Sequence, residues 1–140
     1  MLTDPAKPKT IRVADLDIHY ELADYTPPWR RTPARACLPY HGYARNMEFW
    51  RSWVPLLASD FRVLRFDARG CGGTTQPADE STYTFERLAG DAIGLMDALG
   101  LERVHWVGES SGGIVGLTAA LCHPSRLQTL TLCDTPFNRS

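Results

Sequence analysis

A chain of 140 residues can bury one hydrophobic core and is too short for two. Hydrophobic residues at 44% and charged residues at 22% are globular proportions, which fit neither a disordered tail nor a membrane protein. Fifteen Lys and Arg against sixteen Asp and Glu leave a net charge of −1, and no stretch gathers one sign as a nucleic-acid or anionic-membrane surface requires.

Met1 to Thr10 mixes Pro, Asp and Lys without an apolar run. It lacks the centre of a signal peptide, and no later segment approaches membrane-spanning length, so a cytoplasmic location is expected. Ile11 to Tyr25 alternates apolar and polar residues and breaks at Ala14-Asp15, which predicts an antiparallel hairpin. Thr26 to Pro33, with Pro27, Pro28 and Pro33, reads as a surface connection, and Ala36 to Tyr40 as a third strand running into His41-Gly42.

From Asn46 to Ser59 the residues Phe49, Trp50, Trp53, Leu56 and Leu57 recur at three- and four-residue spacing, predicting a helix bent at Pro55. Phe61 to Phe66 is the fourth strand, ending at Asp67. Thr84 is a suitable N-cap for a helix whose stripe is Phe85, Leu88, Ala89, Ala92, Met96 and Leu99, and Gly100 suits its left-handed end. A strand at Val104 to Val107, a helix after Ser110 that Pro124 ends and a strand at Leu127 to Cys133 complete the pattern. Alternation of strand and helix from Ala36 onward predicts an α/β fold: a doubly wound, mostly parallel sheet of six strands opened by an antiparallel hairpin. In such sheets chemistry sits at the carboxyl ends of the strands.

Gly108-Glu109-Ser110-Ser111-Gly112 is a G-x-S-x-G pattern between a predicted strand and a predicted helix. A serine that attacks a carbonyl must stand clear of the sheet on a tight turn, and glycines two residues before and after it permit that turn. Ser110 is therefore the candidate nucleophile; Ser111 lacks the glycine flanks. The Ser111 N–H, at the positive end of the following helix, is one candidate oxyanion donor, and the Tyr43 N–H after His41-Gly42 is the second. His41 is expected to orient that loop. Asp67 and Arg69 are expected to form a structural ion pair, and Glu109 to be a pocket-rim or structural carboxylate. Cys37, Cys71, Cys122 and Cys133 show no C-x-x-C pair or metal-ligand spacing, so neither a metal nor a disulfide scaffold is expected.

On His41-Gly42, on Asp67-Ala-Arg69-Gly70-Cys-Gly72-Gly-Thr74 and on the turn around Ser110, residues 11 to 136 resemble the first half of an alpha/beta-hydrolase. Phe61 to Asp67, Asp97 to Arg103 and Leu130 to Thr135 add similarity to the enol-lactonases and cofactor-free haloperoxidase-like esterases. Cys71 departs from them, standing where a His is common. The resemblance implies a serine hydrolase that cleaves a carboxylic ester or lactone through an acyl-enzyme, without a cofactor. Epoxide hydrolases and haloalkane dehalogenases share the layout but place an aspartate where Ser110 stands. A carbon-carbon bond hydrolase, a perhydrolase or an acyltransferase on the same scaffold remains open, as does a non-catalytic ligand-binding receptor.

The family's order puts acid and base after the serine. His123 follows Ser110 but reads as a helix-ending His-Pro, and Asp134 is either the triad acid, as in a minority of the family, or a loop-capping or pocket residue. The resemblance thus implies that residues 1 to 140 form the N-terminal part of one hydrolase domain. It also implies a lid beginning near Ser140 and a complementary C-terminal half, in the same or a separate chain, that carries the histidine. Arg45, offset by Glu48, leaves no free cation beside the site, so a neutral, partly aromatic or apolar substrate is expected.

Overall fold

The computed structural model describes residues 7–136. The lid entrance expected at Ser140, and most of the Met1 to Thr10 stretch, lie outside them. Six strands form one sheet in the order β1-β2-β4-β3-β5-β6: β1 is Lys9–Val13, β2 Leu16–Ala23, β3 Ala36–Tyr40, β4 Arg62–Phe66, β5 Val104–Glu109 and β6 Leu127–Cys133. β1 pairs β2 and β2 pairs β4 antiparallel, whereas β3 pairs both β4 and β5 in parallel and β5 pairs β6 in parallel. The expected hairpin turns at Ala14-Asp15, with Ala14 at φ 51°.

The chain passes from β3 to β4 on one side of β3 and then to β5 on the other, so the strand order reverses there. Reversal leaves a crevice beyond the carboxyl ends of β3 and β5, where His41 and Ser110 follow. β3 is buried along its whole length, as a strand covered on both faces must be. On one face, α2 (Phe85–Ala98) and α3 (Ser111–Cys122) cover a core that includes Leu38, Tyr40, Leu64, Met96, Val104 and a fully buried Trp106. On the other, Val54 and Ala58 pack against Ala23 and Val63.

α2 has the caps its sequence predicts. The Thr84 side chain accepts from the Arg87 N–H at 3.1 Å, and Gly100, at φ 69°, lets the Leu101 N–H reach the Met96 carbonyl at 2.9 Å. Phe85 departs from the expected buried stripe: it is exposed because the first turn of α2 reaches past the core and borders a surface groove.

The helix expected over Asn46 to Ser59 is instead a 3₁₀ segment, Met47–Trp53, running into the short α1, Val54–Leu57. Asn46 caps it by accepting from the Glu48 N–H at 2.9 Å. Pro55 does not bend a long helix; it occupies the first turn of α1, where no intrahelical N–H is required. Three-residue turns also change the buried face. Met47, Trp50, Val54 and Ala58 point inward, while Phe49, Trp53 and Leu56 remain exposed.

Candidate active site

Ser110 lies between the end of β5 and the start of α3 with φ 53° and ψ −122°. A left-handed φ is costly for a residue with a side chain and persists only where the surroundings impose it. Here they do. A Cβ on Gly108 would strike the Gly112 carbonyl and Gly113 Cα, and one on Gly112 would strike the carbonyl oxygens of Tyr40 and His41. The Ser110 N–H donates to the Cys133 carbonyl at 2.9 Å, fastening the turn to the end of β6. The Ser110 side chain does not cap α3, so its hydroxyl is held at the crevice without a helix partner. Farther along α3, a Cβ at Gly116 would lie 2.7 Å from Leu130 and from the Trp106 ring, so the helix sits close on the sheet only because this position is bare.

The loop after β3 lies directly against this turn, since a Cβ on Gly42 would come within 3.1 Å of Ser110 Cβ. Neither the Tyr43 N–H nor the Ser111 N–H donates a hydrogen bond among the described residues, and the Tyr43 side chain is 88% exposed. The structure therefore brings Ser110, Tyr43 and Ser111 to one place. A surface groove of about 440 Å³ adjoins them, bordered by Tyr40, Cys71, Tyr83, Phe85, Leu88 and Val115. Its walls are mostly apolar, and burial raises the Cys71 thiol above its ordinary pKa.

His41 is buried with both ring nitrogens engaged. Nδ1–H donates to the Gly42 carbonyl at 2.9 Å, and Nε2 accepts from the Ala68 N–H at 3.0 Å. Burial pushes its pKa below the ordinary value, which suits the neutral ring this pattern requires. The histidine thus fixes its loop, as expected of it.

Several charge pairings differ from the sequence expectation. Asp67 and Arg69 do not pair with each other. Asp67 accepts from the Met47 N–H at 2.8 Å and the Gly73 N–H at 2.9 Å and meets His19 Nδ1 at 2.8 Å, so it ties three segments below the crevice. Arg69, its side chain fully buried, holds Asp91 at 2.8 and 2.9 Å and Asp15 at 2.9 and 3.0 Å. Nor does Glu48 offset Arg45. Glu48 faces Arg65 and Arg51, while Arg45 Nε lies 3.3 Å from Glu109 Oε2. Opposite charges at this loop could be expected from sequence, but their partners are set by strand pairing across the sheet.

None of the four histidines stands free beside Ser110. His19 is on Asp67, His41 is bonded at both nitrogens, and His105 is half-buried on β5, with Nδ1 2.8 Å from Thr129 Oγ1. His123 closes the far end of α3, a helix of 12 residues and so roughly 18 Å from Ser110. Asp134 follows β6 beside the turn, exposed and at φ 49°, with no hydrogen bond among the described residues. No cluster of three or more His, Cys, Asp or Glu is gathered for a metal among those residues. No helix among them is long and apolar enough to cross a membrane.

Residues 40–139 match the sequence profile of the alpha/beta hydrolase fold. The chain belongs to the alpha/beta-hydrolase family. It is 39% identical over 102 residues to a fluoroacetate dehalogenase of a Burkholderia species, covering 71% of this chain and 34% of that one. It is 36% identical over 97 residues to epoxide hydrolase A of Mycobacterium tuberculosis, covering 69% of this chain and 30% of the relative. Among solved structures, the enol-lactonase from Burkholderia xenovorans superposes with a TM-score of 0.81 at 32% identity, covering 91% of this chain and 46% of the enol-lactonase. The chain thus spans about a third of the length of those curated relatives and under half of the lactonase.

Proposed function

We propose that this chain is the nucleophile-bearing part of a serine hydrolase that cleaves a carboxylic ester or lactone through an acyl-enzyme. The observation that carries the reading is Ser110 itself: an uncapped hydroxyl on a left-handed, glycine-flanked turn, with the N–H groups of Ser111 and Tyr43 unpaired beside it. Ser110 Oγ attacks the substrate carbonyl as the general base takes its proton, the two N–H groups receive the developing oxyanion, and the base passes that proton to the departing alcohol. Water then releases the acid. A serine at this position favours acyl transfer over the alkyl-ester chemistry expected of branches that carry aspartate.

The base is a histidine of a complementary C-terminal half, in this polypeptide or another. All four histidines of the chain are engaged elsewhere or distant. Asp134, beside the turn, is a candidate for the acid that orients the base. The substrate is a neutral, mostly apolar small molecule: Arg69 is enclosed by Asp15 and Asp91, Arg45 faces Glu109, and the groove is lined by Tyr40, Phe85, Leu88 and Val115. In the assembled enzyme, chain plus complementary half, Ser110→Ala should fold normally and lose nearly all turnover of aryl esters. Retained turnover would refute the assignment.

A further inference from the structure

We infer that the Arg45–Glu109 pair is a strap that positions the oxyanion hole. The inference rests on the serine-hydrolase reading above. One N–H, that of Tyr43, lies on the loop after β3, and the other, that of Ser111, on the turn after β5. Each must be held relative to the other to within a fraction of an ångström for both to meet one oxygen. Tyr43 cannot anchor its own loop through packing, since its side chain is 88% exposed. Arg45 does so from two ends. Its backbone N–H donates to the Gly42 carbonyl at 3.3 Å, closing the turn around Tyr43, and its Nε lies 3.3 Å from Oε2 of Glu109, the residue immediately before Ser110. The guanidinium rests 4.3 Å over the Phe49 ring, which limits its swing.

Glu109 is unusual for a structural carboxylate. It is buried, yet its Oε2 makes no hydrogen bond among the described residues. Its surroundings are the Arg45 guanidinium and the bare backbone of Gly42, where any Cβ would collide with Oε2. A buried charge with one partner is held by that partner alone, and here the partner belongs to the loop that carries Tyr43. The strap therefore runs from the nucleophile turn to the Tyr43 loop. His41 secures the other end of that loop.

The test uses the assembled enzyme with a matched ester and thionoester, whose sulfur is a weaker hydrogen-bond acceptor and gains less from the oxyanion hole. Glu109→Gln, which keeps the shape, and Arg45→Met, at a half-exposed position, should each lower ester kcat about 10- to 100-fold with little change in KM. Each should also shrink the ester preference over the thionoester, and the double variant should be no worse than either single one. Arg45→Lys should recover part of the loss. Unchanged kcat, an unchanged ester-to-thionoester ratio, or additive losses would overturn the strap while labelling of Ser110 by a phosphonate still upheld the serine mechanism. Failure of the unaltered enzyme to label at Ser110 would overturn both.

Discussion

Two hydrogen bonds at His41 hold the Tyr43 loop, and the one that Nε2 accepts needs a neutral ring, whose proton then sits on Nδ1. Removing the side chain leaves the Ala68 N–H without its acceptor and the Gly42 carbonyl without its ring donor. His41→Ala should therefore destabilise the assembled enzyme by about 1–3 kcal/mol in denaturant unfolding. The pH dependence follows from the lowered pKa: the unfolded ring takes up a proton more readily than the folded one. The His41 contribution is fully present above the unfolded value of 6.5 and is lost as pH falls through that value toward the folded one. The gap between wild type and His41→Ala should accordingly narrow between pH 7.5 and pH 5, conditions chosen on the order of one unit either side of that value. The cysteines offer a second residue-level check. Burial pushes the Cys37 thiol up to about 11, whereas Cys122 is exposed, so iodoacetamide should modify Cys122 in the folded protein and spare Cys37 until it unfolds.

Among elements, the turn at Ser110 was the most legible in sequence because its requirements are local: two glycines, a strand before and a helix after. The caps of α2 were legible for the same reason, and Thr84→Ala should cost about 1 kcal/mol in unfolding. The segment after Asn46 was misread because apolar residues at three- and four-residue spacing satisfy both an α-helix and a 3₁₀ run, and only packing decides which side turns inward. Charge partners were illegible for a different reason. Arg69 meets Asp91 and Asp15 at sequence separations of 22 and 54, distances bridged only when the sheet assembles. Asp91→Ala would strip this buried guanidinium of one carboxylate and should cost about 3–5 kcal/mol, far more than loss of an exposed pair such as Arg12 with Asp17. The two arginines on Asp15 hold its carboxyl well below the usual range. Its stabilising contribution is present above the unfolded value of 3.8 and disappears as pH falls toward the folded one.

At the scale of the whole molecule, β6 is paired only by β5 among the described residues, which leaves its outward edge with unpaired backbone groups there. Leu121, at 84% exposure, and Leu56, at 73%, add apolar surface that a monomer gains little from showing. Residues 1 to 140 expressed alone should therefore self-associate in sedimentation and show no ester turnover, and both properties should change when the complementary half is supplied. A monomeric, cooperatively unfolding product would contradict this reading of the domain. The family and the doubly wound sheet were accessible from motif order alone, whereas the residue that would serve as the proposed base was not, because none of the chain's four histidines stands free beside Ser110.

The most direct measurement is covalent labelling of the assembled enzyme with a serine-directed aryl phosphonate, followed by peptide mass spectrometry. Ser110 should carry one phosphonyl group, in step with loss of aryl-ester turnover, and Ser110→Ala should carry none. Modification at Ser111 instead, or loss of activity without modification of Ser110, would contradict the account.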